Sequence, residues 1–325
     1  MKGNEKSVMR ICILGLGVIG TTYGYAFQKA GHQVEHLVRE KKQEYLPSEL
    51  DVTILDGRYN SHGEEKRDKY TAYPAKPNTS YDFIFLSVRS GKLKDALAAL
   101  SRNNIRGTVV LFCNFWNDRQ EIEKIMEGYK FIIGFPTAGG HMADGKLNCV
   151  LFDHIMLESE EKASIPNYRD LAELLASADI KTEIPSDMVE WIWIHMAINA
   201  GVTSTAAREG KMDNPKQLAL NLMQDSRELS IAAKSIRETI TVVQARGVDM
   251  RKYRGELLPY KIPPVIAGII MKRMFANNEL TRRIMTLHND EKDIMYGCNS
   301  VYDSGKSMNL NLPLFYSHMD NIIKK

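Results

Sequence analysis

A glycine-rich segment between a short apolar run and a helical pattern constrains this fold more than any other feature. The segment reads ICILGLGVIGTTYGYAFQKAGHQVEHLVR and places Gly15, Gly17 and Gly20 in the spacing G-x-G-x-x-G. In a strand–turn–helix unit, the first glycine permits a tight turn, the second lets the backbone approach a pyrophosphate, and the third lets the helix pack on the strand. The free N–H groups that begin the helix attract phosphates. The segment predicts dinucleotide binding, with a plain glycine-rich turn as the alternative.

The residue that ends the second predicted strand selects between the two dinucleotides. NAD-preferring sites place a carboxylate there to bind the ribose 2′-hydroxyl. This chain has Arg39, and a guanidinium pairs with the 2′-phosphate of NADP, which a carboxylate would repel. We therefore predict NADP(H) as the cofactor and disfavour a methyltransferase, which usually has an acidic residue here. Two alternatives stay open: Arg39 as a solvated surface charge, and NAD binding through Glu40 if the register shifts by one residue.

An alternation of apolar runs with helical patterns fills the first 185 residues and indicates a parallel α/β sheet. Several of the runs are almost wholly apolar, as expected where helices cover both faces of a sheet. The polar stretch 56–80, with two glycines and two prolines, is predicted as an exposed excursion. The predicted strands are 11–15, 34–38, 52–55, 83–88, 109–113, 131–134, 149–157 and 180–184.

The second half of the chain is predicted to be nearly all helix. Asp187 and Glu190 form a capping-box pattern that begins a long helix. Pro215 opens a second long helix that ends near Gly247. Further helices are predicted at 264–277, 279–302 and 313–325.

The length and composition fit two globular domains. At ~150 residues per domain, the chain makes about two. The change of pattern divides it into an α/β Rossmann-type, NADP-binding parallel sheet domain at 1–185 and an all-α substrate or dimerisation domain at 186–325. With 44% hydrophobic and 26% charged residues, the composition excludes disordered, collagen-like and coiled-coil chains. The 43 Lys and Arg nearly balance 40 Asp and Glu, so the net charge of +3 does not favour a nucleic-acid partner.

No segment of the sequence predicts export or membrane insertion. No apolar signal core follows the polar N-terminus, and the longest later apolar run, 265–271, is well short of the ~20 residues of a membrane span. Of the four cysteines, three lie in apolar runs, which is typical of reduced core thiols. Without CxxC, HExxH or paired-histidine patterns, no metal site is predicted. We therefore expect a cytoplasmic protein without membrane contact.

Several anchors along the chain resemble the ketopantoate reductase family, a group of Rossmann-type dehydrogenases with an all-α second domain. The spacing from Glu291 through Asp293 to Gly297 is the most diagnostic, because the family has an E-I-D-x-x-x-G segment on its late helix. The resemblance implies a 6-phosphogluconate dehydrogenase-like C-terminal domain. It also implies hydride transfer from NADPH to the keto carbon of a 2-keto acid, with 2-dehydropantoate and pantothenate biosynthesis as the leading case. The other anchors are the glycine motif, Arg39, Val88-Arg89, Asn114 in LFCNFWND, and the helix WIWIHMAINAGVTSTAA.

The resemblance also assigns roles to individual residues. In that family, a lysine on the first helix of the second domain protonates the nascent alkoxide, and an asparagine four residues later binds substrate. Asn199 matches that asparagine, and Glu291 matches a glutamate that engages the adenosine ribose or closes the cleft. Asn114 matches the residue beside the nicotinamide, and Arg89 lies where the family usually has a lysine near the cofactor. The implied cofactor contacts are Gly15, Gly17, Val18, Ile19, Gly20, Arg39, Arg89, Asn114 and Glu291.

Four positions depart from the family pattern. His195 occupies the position of the catalytic lysine, and Thr203 that of a second substrate-binding asparagine. Glu279 replaces the serine that binds the substrate carboxylate, which another carboxylate would repel, and Phe115 replaces the glycine that follows Asn114. These departures keep open a relative that reduces another carbonyl or an imine, such as an opine-type dehydrogenase. They also keep open a non-catalytic NADP(H) sensor.

Polar side chains recur every four residues on the helix that begins the second domain. His195, Asn199 and Thr203 lie near one face, with Trp191 one turn earlier. We predict substrate contacts for Asn199 and Thr203, and catalytic roles for His195, Asn199 and Asn114. If His195 is the proton donor, turnover declines as pH rises through the imidazole pKa, since a general acid needs a pKa near the working pH. A buried structural histidine is the alternative.

The sequence predicts a small-molecule keto acid as the substrate and leaves the oligomeric state open. The helix predicted over 215–247 presents Leu218, Leu222 and Met223, which pack either within the chain or across a homodimer.

Overall fold

The computed structural model describes residues 8–38, 48–89, 91–210, 212–287 and 290–324. The chain forms two compact units. The first comprises residues 1–113 and 119–185, and the second comprises 114–118 and 186–325. Residues 114–118, which the sequence pattern places with the sheet, thus belong to the helical unit.

A mostly parallel eight-stranded sheet forms the centre of the first unit, in the order β12-β11-β8-β7-β6-β1-β2-β5. β1 lies between β2 and β6 and is parallel to both, so the strand order reverses on either side of it. The middle residues of β1 are fully buried, which explains its apolar sequence. This sheet confirms the predicted Rossmann-type architecture. Its strands are β1 Arg10–Leu14, β2 Gln33–Leu37, β5 Tyr73–Pro74, β6 Ser80–Leu86, β7 Arg106–Leu111, β8 Phe131–Phe135, β11 His154–Leu157 and β12 Lys181–Glu183.

A second sheet of four strands, in the order β4-β3-β10-β9, corrects the prediction of an exposed excursion over 56–80. β4 pairs antiparallel with β3 along its whole length, in a hairpin closed by residues 57–63. β4 reads EEKRDKYT and exposes most of its charged side chains, as an edge strand does. Its end carries the fully buried Tyr70. The strands are β3 Glu49–Asp56, β4 Glu64–Thr71, β9 Ala138–Ala143 and β10 Lys146–Leu151.

In the described part of the first unit there are five helices, and α1 begins directly after the glycine-rich turn. Its residues 20–27 are buried and pack into a single apolar core with both sheets. The helices are α1 Val18–Lys29, α2 Leu93–Arg102, α3 Arg119–Ile125, α4 Glu160–Ala163 and α5 Tyr168–Ser177.

The second unit is helical, as predicted, and α6 is its central helix. The Asp187 side chain accepts a hydrogen bond from the Glu190 N–H at its start, which confirms the predicted cap. α6 packs against α8 and α12. The helices are α6 Met188–Ala206, α7 Pro215–Gln224, α8 Ser226–Ala245, α9 Arg254–Lys261, α10 Pro264–Asn277, α11 Glu279–Leu287, α12 Glu291–Ser307 and α13 Pro313–Ile323.

Two helices predicted as continuous are each divided in the structure. The predicted helix 215–247 breaks at Asp225, whose backbone is extended and whose carboxylate accepts from the Arg227 N–H as a new N-cap. The predicted helix 279–302 is divided into α11 and α12, and Asp290 caps the second with a hydrogen bond from the Asp293 N–H. Aspartate favours such caps because its side chain satisfies N–H groups that lack a helical partner.

The three side chains that the sequence suggested for a dimer contact, Leu218, Leu222 and Met223, are mostly buried within the chain. Leu222 and Met223 are buried in a cluster that α7 forms with α8 and α10. α10 instead exposes an apolar face, on which Val265 is 65% exposed. The other members of this α10 face are Ile266, Ile269, Ile270 and Met274.

The cysteines are buried and none forms a disulfide. Burial raises the pKa of Cys12, Cys149 and Cys298 to about 12, so these thiols are protonated at neutral pH. Within the described residues, no group of three His, Cys, Asp or Glu side chains has the geometry to hold a metal ion. No helix in that same part of the chain combines the length and apolar character needed to cross a bilayer.

Candidate active site

The turn between β1 and α1 is fixed by its first glycine. Gly15 has a φ of +84°, a conformation that side-chain-bearing residues rarely adopt. Its N–H donates a 2.8 Å hydrogen bond to the carbonyl of Leu37, at the end of β2. The turn is thereby tied to the neighbouring strand at the carboxyl edge of the sheet.

The next two glycines of the motif have opposite surroundings. Gly17 lies beside open space, and Gly20 lies against β1. Gly17 is the N-cap of α1, it is exposed, and a Cβ added there would meet no atom within 4 Å. A Cβ on Gly20 would lie 2.5 Å from Cγ2 of Ile13, so this glycine sets how closely α1 packs on β1. Val18 and Ile19, between them, are half-buried and pack against the apolar core.

The start of α1 is electrostatically suited to an anion. Its first turn contains no acidic residue, and no side chain of Gly17 competes for its N–H groups. The helix dipole adds partial positive charge at this end. The open backbone at Gly17 and the uncapped helix start together fit the pyrophosphate of a dinucleotide.

One predicted cofactor residue, Arg89, follows the strand next to β1 at this edge. Arg89 is exposed, three residues after β6 ends. Because β1 and β6 are parallel neighbours where the strand order reverses, the glycine turn and Arg89 border the crevice in which open α/β sheets bind ligands. Arg39 lies outside the described residues.

The predicted row of polar side chains is present on α6. The rings of Trp191 and His195 stack with centroids 5.3 Å apart and an angle of 11° between their planes. Nδ2 of Asn199 donates a 2.9 Å hydrogen bond to Nε2 of His195. Asn199 is exposed, and Thr203 is half-buried one turn further along the same helix.

His195 differs from the sequence expectation in its protonation. Burial lowers its pKa to about 4, well below the working pH that a general acid is expected to match. The imidazole is therefore neutral at pH 7. Since Nε2 accepts from Asn199, the proton of the neutral ring is at Nδ1.

A cluster that sequence reasoning missed anchors the segment 114–118 to the helical unit. The guanidinium of Arg246, the C-cap of α8, packs 3.6 Å from the ring centroid of Trp193 and 4.3 Å from that of Trp116. It also donates a 2.8 Å hydrogen bond to the Trp116 carbonyl. The indole N–H of Trp116 donates to Ser304 over 2.7 Å, and that of Trp193 to the backbone of this segment.

Asn114 lies two residues before Trp116, which is a member of this cluster. It is the half-buried first residue of the segment, and the adjacent Phe115 is 5% exposed. The large apolar side chain that replaces a glycine in the family pattern thus serves as an internal contact. Trp116 in LFCNFWND and Trp193 in WIWIH were the features of the sequence that could have indicated this cluster. Nothing in the sequence indicates that Arg246 packs against them.

The remaining predicted residues lie on α11 and α12. Glu291 is exposed in the first turn of α12. Glu279 begins α11 and forms an ion pair of 3.1 Å with Arg283, four residues later.

Comparison with known proteins supports the resemblance found in the sequence. Residues 11–150 match the family described as ketopantoate reductase PanE/ApbA. The chain is also 23% identical over 314 residues to a 2-dehydropantoate 2-reductase of Pyrococcus abyssi, covering 94% of each chain. The resemblance to the ketopantoate reductase family that the sequence shows is therefore confirmed. The members of this family are oxidoreductases that act on a keto group.

Solved structures agree with the ketopantoate reductase fold. The 2-dehydropantoate 2-reductase of Geobacter metallireducens superposes with a TM-score of 0.66 at 14% identity, over 97% of this chain and 99% of that one. A D-mandelate dehydrogenase solved with NADH and anilino(oxo)acetate gives the same TM-score and identity, over 97% of both chains. These structures share the fold of this chain, as the resemblance in the sequence implies.

Proposed function

We propose that this chain is an NADPH-dependent reductase that transfers hydride to the keto carbon of a 2-keto acid, with 2-dehydropantoate as the leading substrate. The observation that carries the proposal is the row of Trp191, His195 and Asn199 at the family's catalytic position, in a chain whose glycine turn is open to a pyrophosphate. A family member with both features has a place for the cofactor and hydrogen-bonding groups for a carbonyl.

The cofactor is held, in this proposal, by residues of the first unit. The N–H groups at the start of α1, beside Gly17, bind the pyrophosphate, and Arg89 supplies a cation at the same edge of the sheet. Arg39 binds the 2′-phosphate, which is the basis for NADP over NAD. When bound, the reduced nicotinamide supplies the hydride.

Residues of α6 bind the substrate carbonyl in this proposal. Nδ1–H of the neutral His195 donates a hydrogen bond to the carbonyl oxygen and stabilises the negative charge that develops there, as hydrogen-bond donors in protected sites do. The alkoxide formed by hydride addition then takes its proton from water. Asn199 holds the tautomer that keeps the proton at Nδ1 and also binds the substrate, together with Thr203. Stacking on Trp191 fixes the plane of the imidazole.

A second candidate, reduction of another carbonyl or an imine, is favoured by α11. The family's carboxylate-binding serine is absent, and Glu279 is paired with Arg283. A substrate without a carboxylate at this position, or with a cationic group, suits that pair better than ketopantoate does.

The test is a turnover assay with NADPH and a substrate panel. Nicotinamide absorbance is followed with 2-dehydropantoate, other 2-keto acids and imine-forming mixtures of a keto acid and an amine, with NADH in parallel. The proposal expects 2-keto acids to be reduced fastest and NADPH to be preferred. Tight NADPH binding without turnover on any substrate would favour a sensor and contradict the proposal.

The cofactor preference is tested with a matched pair of variants. We expect Arg39→Ala to raise the KM for NADPH about tenfold or more, because the variant loses a charge-assisted contact with the 2′-phosphate. The KM for NADH should stay nearly unchanged. Glu40→Ala is the control and is expected to leave the NADPH value unchanged. A large rise in the KM for NADH in Glu40→Ala would instead favour NAD.

We also propose a homodimer as the assembly, formed through the α10 face. Its five exposed side chains make an apolar patch on the order of several hundred Å², the size at which exposed patches mark interaction sites. About a two-fold axis, an apolar helix face packs against the same face of its own copy, so that each chain buries the other's exposed side chains.

A further inference from the structure

A buried histidine links the glycine turn to the end of β2. His36 is 1% exposed, and its Nδ1 lies 2.7 Å from the carbonyl oxygen of Gly15. A carbonyl can only accept, so Nδ1 carries a proton and donates it. With the Gly15 N–H bonded to Leu37, both polar groups of Gly15 are bonded to consecutive residues of β2.

The other nitrogen of His36 receives a hydrogen bond from the second sheet. The hydroxyl of Tyr70, on β4, lies 2.6 Å from Nε2, and the two rings meet edge to face. Since Nδ1 carries the ring proton, the tyrosine hydroxyl donates to Nε2. Burial lowers the pKa of His36 to about 4 and raises that of Tyr70, so both groups are neutral at physiological pH and these directions hold.

A glycine in α1 makes this arrangement possible. A Cβ added to Gly24 would lie 2.7 Å from the Tyr70 hydroxyl oxygen. Because Gly24, the fourth glycine of the segment GLGVIGTTYG, has no Cβ, the Tyr70 hydroxyl has room to reach the imidazole. The chain of contacts runs from β4 through His36 to the turn that begins the dinucleotide motif.

We propose that His36 and Tyr70 are positioning residues for the dinucleotide, which hold the Gly15 carbonyl away from the ligand and keep the N–H groups beside Gly17 directed toward the pyrophosphate. The inference rests on the proposed dinucleotide function. A carbonyl turned toward a phosphate would repel it, so an unheld Gly15 peptide weakens binding. Neither residue touches the ligand in this account; both act through the turn.

Two pairs of matched variants test the role. Asn and Leu have nearly the same shape, and only the amide of Asn can replace the Nδ1 donor, so His36→Leu and His36→Asn differ in the one hydrogen bond at issue. Tyr70→Phe removes one hydroxyl, and its control is Tyr25→Phe, which removes the 3.0 Å hydrogen bond from α1 to Asp68 of the same strand. The full-length proteins are titrated with NADPH, and their melting temperatures are measured without ligand.

The expected result is a split between affinity and stability. His36→Leu raises the Kd for NADPH about tenfold, the effect of one lost hydrogen bond, whereas His36→Asn stays within about threefold of the wild type. Tyr70→Phe also raises the Kd, and Tyr25→Phe does not, although both lower the melting temperature. If His36→Leu does not fold, the tyrosine pair decides the question.

Contrary results separate this inference from the function it rests on. Equal Kd values for the Leu and Asn variants, or for the two Phe variants, would overturn the positioning role while leaving dinucleotide binding intact. A wild-type protein that binds no dinucleotide would overturn the proposed function and the inference together.

Discussion

The side-chain amide of Asn199 donates a 2.9 Å hydrogen bond to Nε2 of His195, one helical turn away on α6. An amide nitrogen can only donate, so the imidazole must accept at Nε2 and keep its proton at Nδ1. Stacking of the same ring on Trp191 fixes its plane. Trp191 and Asn199 together therefore fix both the plane of the His195 ring and the position of its proton, at Nδ1.

Removal of the imidazole tests whether that proton matters. We expect His195→Ala to lower kcat about 100-fold or more, the contribution of a positioned proton or hydrogen-bond donor, with little change in the Kd for NADPH. The control is His62→Ala, which removes an exposed histidine and should retain full turnover. Full activity in His195→Ala would assign the histidine a structural role only.

The pH dependence of turnover distinguishes a neutral from a charged His195. Because burial lowers its pKa to about 4, the ring is deprotonated well before pH 6, and kcat should be flat between pH 6 and 8. A charged imidazole with an ordinary pKa of ~6.5 would make kcat fall as pH rises through that value. A decline centred there in the wild type, and absent from His195→Ala, would contradict the neutral form.

The sequence predicted the parts of the site that depend on local geometry. The row on α6 follows from the helical repeat, and the glycine turn follows from a spacing with a known backbone requirement. The Trp116–Arg246 contact was not predictable, because its members are 130 positions apart and local pattern carries no information about such pairs. The same holds for Tyr70, which reaches His36 from a strand that looked like a charged surface loop.

Two neighbouring glycines are expected to have separable effects. Gly17→Ala meets open space in an extended conformation that any residue adopts, so it should cost less than about 1 kcal/mol of stability. It should nevertheless raise the Kd for NADPH about tenfold or more, because its methyl group occupies the approach of the pyrophosphate.

Gly20→Ala is the matched comparison. Its added Cβ would be 2.5 Å from Cγ2 of Ile13, so it should lower the free energy of unfolding by about 1–3 kcal/mol through overpacking. Urea unfolding and NADPH titration of both variants make the measurement. Normal NADPH affinity in Gly17→Ala would remove the glycine turn from the binding site.

The fold was predicted best where a strand or helix is defined by its own residues. The apolar strands of the parallel sheet and the capped start of α6 fall where the sequence placed them. The break at Asp225 was missed although Asp225 and Glu228 have capping-box spacing, because the apolar pattern continues through the break. β4 was missed because its register is set by β3, its pairing partner, and not by any apolar alternation of its own.

The α10 face predicts the oligomeric state. We expect the wild type to elute at twice the chain mass in size-exclusion chromatography with light scattering. Changing Ile266 and Ile270 together to Lys should produce a monomer, because two buried charges would oppose each other across the two-fold axis. Ile184→Lys, which changes an exposed isoleucine of the first unit, is the control and should remain dimeric. A monomeric wild type at tens of micromolar concentration would contradict the proposed dimer.

The most direct test of the central claim follows the hydride itself. The protein is incubated with 2-dehydropantoate and NADPH that carries deuterium at both C4 positions of the nicotinamide, and the product is examined by mass spectrometry. The account predicts pantoate with one deuterium, located at C2, formed by the wild type and at a far lower rate by His195→Ala. Bound NADPH with no deuterated hydroxy acid from 2-dehydropantoate or any other 2-keto acid would contradict it.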